Sequence, residues 1–418
     1  MKILVVGGGG REHAIVWALS KCRRVDKIFC CPGNAGIAEM ASCLNINVDD
    51  IKALAGFARY EWIDYTIVGP EVPLVAGIVD EFNKEGLKII GPNRQAAKLE
   101  GSKVFAKEFM KRHGIPTAQY NVFTSYIHAQ EYVKLMGTPV VIKADGLAAG
   151  KGVIVAWSVD EAIDAIRLIM KDRAFGEAGD RVVVEQCIEG QEASFMVFTD
   201  GAHVIPMVSA QDYKRAFDAD RGPNTGGMGA ITPASVINSS LHQTVMDRVI
   251  YPVLNALRKE GIAYKGILYA GLMIKDGMPY VLEFNCRLGD PEAQAVLMRL
   301  ETDLLDIMIA IHEGALNKLD VRWKPGASMT LVLASGGYPG SFKKGVVVNG
   351  LEALKVKDDL CVFHSGTTFE GKDVVTTSGR VLAVTAAGPT LSAARQNIYE
   401  NAKSISFDGM FYRTDIGT

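Results

Sequence analysis

The sequence predicts a multidomain α/β and α+β protein, with a doubly wound parallel sheet at the N-terminus and a small α+β domain at the C-terminus. Three observations predict this. Residues 1 to about 100 alternate apolar strand runs with helical patterns, as βαβ units do. Further on, two strand-like runs, 267–274 and 280–286, flank Lys275-Asp276-Gly277-Met278, whose Asp-Gly is a strong hairpin signal. Beyond the boundary-like Trp323-Lys324-Pro325-Gly326, strands are expected at 329–334, 345–348 and 381–385, then a helix near 391–404.

The 418 residues are 48% hydrophobic and 22% charged, enough for several domains with ample cores. Net charge is −2, so bulk electrostatics favour neither nucleic acid nor an anionic membrane as partner. The seven cysteines are scattered and lack zinc-site spacing; Cys30 and Cys31 fit a buried strand in a reducing compartment. The N-terminal Met-Lys-Ile-Leu-Val-Val is too short for a signal sequence core, and no apolar run approaches membrane-spanning length. A cytoplasmic protein is expected.

In the N-terminal region, strand 3–6 runs into Gly7-Gly8-Gly9-Gly10 and a helix from about Arg11. Strand 28–31 leads to Pro32-Gly33-Asn34-Ala35-Gly36, strand 65–68 to Gly69-Pro70-Glu71, a helix covers about 74–83, and a strand at 88–90 ends in Gly91-Pro92. Loops at the carboxyl ends of such strands form the ligand crevice, which places Gly8, Asn34 and Glu71 there. A dinucleotide fingerprint fails, because Glu12 holds its third glycine position and no acidic residue closes the second strand. Glycines feeding a helix N-terminus still suit a single phosphate, with Glu12 and His13 at its mouth; tight strand-to-helix packing without a ligand is the alternative.

Gly101-Ser102-Lys103 leads into a helix that Pro116 helps to end. In the strand 140–144, Lys143 interrupts an apolar run, which is costly unless an anion pairs with it. Asp145-Gly146-Leu147-Ala148-Ala149-Gly150-Lys151-Gly152 is not a Walker loop, since three residues separate Gly146 from Gly150 and Gly152 holds the Ser/Thr position. A glycine- and alanine-rich loop with a lysine at its tip nevertheless folds over phosphates. Ser158 and Glu161 form a capping box. The strand 182–186 carries Glu185 and leads through Ile188 to Glu192; both glutamates are compatible with simple solvation. Two polar stretches, 209–215 and 224–229, read as long loops, and a helix near 241–259 is interrupted by Pro252.

The hairpin's second strand places Glu283 and Asn285 on one face, with Leu282, Phe284 and Cys286 on the other. Two hard oxygen ligands side by side suit Mg²⁺, which keeps waters and takes further ligands from phosphates. Arg287, Gly289 and Asp290-Pro291 follow; Asp290 reads as the N-cap of a helix running to about His312. A solvated strand end closed by a capped helix is the plainer alternative.

Taken together, Lys103, Lys143, Glu185 with Ile188 and Glu192, and Glu283 with Asn285 resemble the ATP-grasp superfamily in order and spacing. More narrowly the chain resembles the phosphoribosylamine–glycine ligase family over essentially its full length. The resemblance is carried by GGGGREHA (7–14), PGNAGIA (32–38), VGPE (68–71), IKADGLAAGKGV (142–153), AQDYKR (210–215), NTGGMGA (224–230) and EFNCRLGDPE (283–292).

That resemblance implies an N-terminal Rossmann-like domain at 1–101, an ATP-grasp domain at 102–324 with a mobile lid at about 121–190, and a C-terminal domain at 325–418. It implies ATP phosphates on Lys103 and Lys143, with Lys151 on the closing loop, adenine beside Glu185 and Ile188, ribose hydroxyls on Glu192, and Mg²⁺, or Mn²⁺ in its place, on Glu283 and Asn285. Lys143, Arg287 and Asp212 are the expected catalytic residues. Gly8, Gly9, Glu12, Asn34, Glu71, Asp212, Lys214, Arg287, Gly289 and Asp290 are expected around glycine and the sugar phosphate. The implied reaction makes a glycyl phosphate that phosphoribosylamine attacks, a step of purine synthesis. The implied protein is a monomer that meets neither nucleic acid nor membrane, with at most transient contacts to neighbouring pathway enzymes. The family often has His where this chain has Tyr213. An ATP-grasp enzyme for another carboxylate and amine, a non-catalytic nucleotide-binding protein and a dehydrogenase are the other readings, the last disfavoured by the failed fingerprint.

Overall fold

The computed structural model describes residues 1–147, 152–354 and 359–418. The N-terminal sheet contains β1 (Lys2–Gly7), β2 (Lys27–Pro32), β3 (Ser42–Cys43), β4 (Tyr65–Val68) and β5 (Ile89–Ile90) in the order β3-β2-β1-β4-β5, every pair parallel. Both faces of β1 are buried: Leu4 and Val6 enter one core, Ile3 and Val5 another. This explains an unbroken apolar run where alternation would mark a half-exposed strand. Helix α1 (Gly10–Ser20) follows β1, and α2 (Ile51–Tyr60) precedes β4. The helix expected over 74–83 is two, α3 (Glu71–Ala76) and α4 (Ile78–Lys84), parted by Gly77 at φ +97°. Only glycine takes that left-handed conformation without strain, so the axis turns there.

The central region holds two antiparallel sheets. One orders Tyr120–Phe123, Val182–Gln186, Val140–Ala144 and Val153–Ala156, and packs its own core against the helices Tyr126–Met136 and Val159–Met170. The other orders Val204–Pro206, Gln191–Thr199, Gly266–Lys275 and Met278–Asn285. The expected hairpin is its last pair, turning through Asp276 at φ +52° and Gly277 at φ +73°. Its register slips: Gly271 faces Glu283 but Leu272 faces Val281, leaving Leu282 as a β-bulge. Val281 and Phe284 therefore both enter the core, and Leu282, expected beside Phe284, instead lines a cleft.

Four further expectations change. The helix Lys103–Arg112 ends before Gly114, at φ +67°, rather than at Pro116. Glu161 completes its box on Trp157 N (2.8 Å) while Ser158 Oγ accepts from Glu161 N. The helix expected to run to His312 is two, Glu292–Arg299 and Leu304–Glu313, with Asp303 capping the second. Around Pro252 the chain stays helical through a π turn at Met246–Ile250, which absorbs the missing amide.

The C-terminal sheet orders Gln211–Asp212, Gly229–Thr232, Ala327–Ala334, Arg380–Gly388 and Leu360–His364, with the helix Leu391–Ala402 packed on it. Segments 209–215 and 224–229, read as loops, thus contain parts of short strands, Gln211–Asp212 at the sheet edge and Gly229–Thr232 inside it, while 345–348 makes a single isolated bridge at Val347. Sheet membership joins Asp212 to the C-terminal region.

Candidate active site

A cleft of about 450 Å³ opens between the two central sheets and the carboxyl ends of β1 and β4. A hollow of about 570 Å³ at the hairpin tip has Lys275 as its one cationic wall residue and gathers no such chemistry. Lys103, Lys143, Ile188, Glu192, Glu283 and Asn285 all face the cleft, so the expected nucleotide residues do converge. Lys151 lies outside the described residues.

Lys143 is 5% exposed; its Nζ is ion-paired with Glu185 and donates to the Leu282 carbonyl at 3.1 Å, the carbonyl of the bulge. Glu185, compatible by sequence with a solvated position, is instead 1% exposed and paired with Lys107 as well. Burial alone would raise the Glu185 carboxyl, but Lys143 and Lys107 hold it below the usual range. Burial and Lys143 push the Lys107 amine down to about 8, against the pull of Glu185. No sequence motif marks Lys107, although it stands three residues from both Val104 and Met110 on the buried side of its helix. Asp145, which opens the glycine-rich stretch, has a role no sequence motif marks: its Oδ1 accepts from Ser102 Oγ (2.8 Å) and Val104 N (3.0 Å), anchoring the helix that begins with Lys103.

Glu283 and Asn285 stand together as expected. Burial would raise the Glu283 carboxyl, yet Lys214, Lys103 and Lys143 hold it ionised. Among the described residues no cluster of three or more His, Cys, Asp or Glu could hold a metal by itself. One ionised carboxylate beside one amide oxygen fits a hard cation that completes its shell with phosphate and water.

At the other end Arg287 is braced: Nη2 lies 2.8 Å from Glu100 and Nε 3.3 Å from Glu71. The guanidinium fork expected to be free for substrate is therefore held by two carboxylates, and Glu71 reaches the cleft through that pairing. Glu100, not anticipated, also accepts from Cys286 N at 2.7 Å. Asp290 is not a helix cap, since Pro291 holds that position; its Oδ2 faces Arg11 N at 3.4 Å and its Oδ1 accepts from Gln294 at 2.9 Å. Gly289 lines the cleft beside it. Lys214 pairs with Glu192 at 3.0 Å, so Glu192 already has a cationic partner. Asp212 is half-buried with its Oδ1 out of solvent and unpartnered, and burial and Glu292 push its carboxyl well up.

Gly8, Gly9, Glu12 and Asn34 do not line this cleft. Asn34 donates to the carbonyls of Gly8 (2.9 Å) and His364 (2.7 Å) and accepts from Ile37 N (2.9 Å), which occupies its amide in the fold. Glu12 accepts from Gly9 N (2.6 Å) and Arg11 Nε (2.7 Å), and it is Arg11 that reaches the cleft. His13, expected at the mouth, is buried and accepts from His364 N at 2.8 Å, docking the C-terminal sheet. Tyr213 turns toward the C-terminal core, where its hydroxyl accepts from Gly417 N at 3.2 Å. Arg380 brings that domain into the cleft, donating to Gly226 O (2.6 Å) and Asp290 O (2.7 Å).

Two antiparallel sheets enclosing a lysine-lined cleft with a Glu-x-Asn pair define an ATP-grasp ligase, a class whose fold implies ATP binding and use of a divalent metal. The crystal structure of biotin carboxylase from Campylobacter jejuni shares the fold at 16% identity, with a TM-score of 0.74 over 98% of this chain and 92% of that one. The chain belongs to the phosphoribosylglycinamide synthetase family: the N-domain model matches residues 1–100, the ATP-grasp (A) domain 101–293 and the C domain 328–418. It is 51% identical over 420 residues to phosphoribosylamine–glycine ligase of Vibrio parahaemolyticus (100% of this chain, 98% of that one) and 50% identical over 416 residues to that of Caldanaerobacter subterraneus (100% and 99%). The crystal structure of the Thermotoga maritima phosphoribosylamine–glycine ligase superposes with a TM-score of 0.86 at 33% identity, covering 99% of this chain and all of that one.

Proposed function

We propose that this cleft ligates glycine to 5-phospho-D-ribosylamine at the expense of ATP, giving N1-(5-phospho-D-ribosyl)glycinamide, ADP and phosphate on the route to purine nucleotides. One observation carries the reading: Lys103, Lys143 and the Glu283–Asn285 pair share a single cleft with Arg11, Arg287 and Arg380, so a nucleotide end and an anionic-substrate end face each other. Phosphoryl transfer needs mainly positioning and charge neutralisation, and these residues supply both.

Lys103 and Lys143 neutralise the ATP phosphates, with Lys151 on the closing loop. Glu185 and Ile188 border the adenine through their backbone, and Glu192 takes the ribose hydroxyls. Glu283 and Asn285 would hold Mg²⁺, or Mn²⁺ in its place, and the bound ion would add charge neutralisation at the phosphates. Arg287, oriented by Glu71 and Glu100, faces the glycine carboxylate and the glycyl phosphate made from it. Asp212 and Lys214 orient the amino acid, Gly289 and Asp290 border it, and the turn around Gly8, Gly9, Glu12 and Asn34 shapes the sugar-phosphate end by holding Arg11. Water is excluded as the lid, about 121–190, closes over the cleft. The working units are 1–101, 102–324 and 325–418, in a monomeric cytoplasmic enzyme. Among the described residues no helix is long and apolar enough to cross a membrane.

The test is ADP release with MgATP and glycine, with and without freshly generated phosphoribosylamine. Release that requires both supports the reading. Release with a different carboxylate and amine pair, but none with glycine, would sink the substrate assignment and keep the ATP-grasp chemistry.

A further inference from the structure

One buried cation takes no part in the roles above. Lys107, on the helix Lys103–Arg112, is 2% exposed and does not line the cleft. Its Nζ is ion-paired with Glu185 Oε2 and donates to Thr117 Oγ1 at 2.7 Å. Thr117 Oγ1 in turn donates to the Val281 carbonyl at 2.7 Å. On its other oxygen Glu185 is ion-paired with Lys143, whose Nζ donates to the next carbonyl of the same strand, that of Leu282, at 3.1 Å. The contacts therefore close into a ring. It leaves the bulged strand at Val281, passes through Thr117, Lys107, Glu185 and Lys143, and returns at Leu282, the residue before Glu283.

The charge of this ring is unbalanced. A Lys143–Glu185 pair alone would be neutral, and burial asks for nothing more. A second lysine on the same carboxylate leaves one net positive charge inside the protein, which costs stability that apolar packing of the same volume would not. That charge has its outlet in the cleft, which Lys143 lines and Lys107 does not. An ammonium has three N–H donors, and two of those on Lys143 go to Glu185 and Leu282, so one remains for an anion in the cleft. Without Lys107, Glu185 would cancel the charge of Lys143, and a phosphate would meet a neutral pair.

We infer that Lys107 is a positioning residue for ATP: by sharing Glu185 and holding Thr117, it leaves the charge of Lys143 uncancelled and its ammonium fixed toward the phosphates. This rests on the nucleotide part of the reading above and adds a residue that never touches the nucleotide.

Two measurements on wild type, Lys107→Met, Lys107→Arg and Thr117→Val test it. One is steady-state kinetics with each substrate varied in turn, the other calorimetric binding of the non-hydrolysable β,γ-methylene analogue of ATP with Mg²⁺. Lys107→Met should raise the ATP KM and weaken analogue binding roughly tenfold or more, the scale of one charge lost from a partly desolvated site, while the KM values for glycine and phosphoribosylamine stay within about twofold. Lys107→Arg, which keeps the charge, should recover most of that loss. Thr117→Val removes the anchor but not the charge, and should shift ATP in the same direction by a smaller factor. A merely structural role would lower the melting temperature and the active fraction, hence kcat, and leave the ATP KM where it was.

An unchanged ATP KM and analogue affinity in folded Lys107→Met would overturn the inference. So would equal rises for all three substrates, or a folded Lys107→Arg that binds the analogue no better than Lys107→Met. If Lys107→Met does not fold, Thr117→Val decides: a rise confined to ATP supports the role of Lys107, and no rise overturns it. Analogue binding needs no turnover, so wild type that binds the analogue but releases no ADP with glycine and phosphoribosylamine would overturn the ligase reading and leave the role of Lys107 standing. Wild type that does not bind the analogue would overturn both.

Discussion

Arg380, on the C-terminal sheet, donates to the Asp290 carbonyl at 2.7 Å and to the Gly226 carbonyl at 2.6 Å, tying two walls of the cleft to one guanidinium. Arg380→Met should therefore lower kcat/KM by roughly 10- to 100-fold, the loss of one or two charged hydrogen bonds, with a smaller effect on the melting temperature. A variant with normal kcat/KM would show that the C-terminal domain does not shape the site.

Glu185 holds two buried lysines, Lys107 and Lys143. Glu185→Gln should destabilise the fold by about 3–5 kcal/mol, because it leaves two buried ammonium groups without a counter-charge. Adding Lys107→Met to that variant should recover part of the loss. A double-mutant cycle read by denaturant unfolding measures the coupling, and strictly additive losses would refute it.

His13 and His364 lie where the C-terminal sheet docks on α1. His13 Nδ1 accepts from His364 N, and both rings are shifted down by burial, His364 to about 4 from 6.5. The unfolded chain binds more protons between those values, so this contribution is fully present above pH 6.5 and is lost as pH falls toward 4. The loss attributable to His364 is at most about 3 kcal/mol. Unfolding of wild type and His364→Gln across that window should show a shallower pH slope in the variant.

Removal of divalent metal by a chelator should abolish ADP release, and Mg²⁺ should restore it. Glu283→Ala should lower kcat by roughly 100-fold or more at saturating Mg²⁺, the scale of losing a preorganised charge clamp on phosphate. Full activity in that variant would move the metal elsewhere.

Much of the architecture is legible along the chain because its signals are local. Apolar β1 and its glycines, the Asp276-Gly277 turn and the period-two spacing of Glu283 and Asn285 each act within a few residues. Breaks at Gly77 and Asp303 are local too, but a glycine inside a helical pattern is ambiguous until its φ is known. The bulge at Leu282 had no sequence signature, because it reflects how one strand fits its neighbour.

The sequence by itself determined the fold class, the family resemblance and the residues of the nucleotide end, since those depend on residue type and short spacing. Only the tertiary structure decided which polar groups spend their hydrogen bonds on the fold and which face substrate. Asn34 and Glu12 are occupied within the N-terminal turn, while Lys107, Glu100, Glu292 and Arg380 join the network from distant positions. Burial and pairing energies depend on distances in space, and residues as far apart as 290 and 380 become partners only when three sheets close round one cleft.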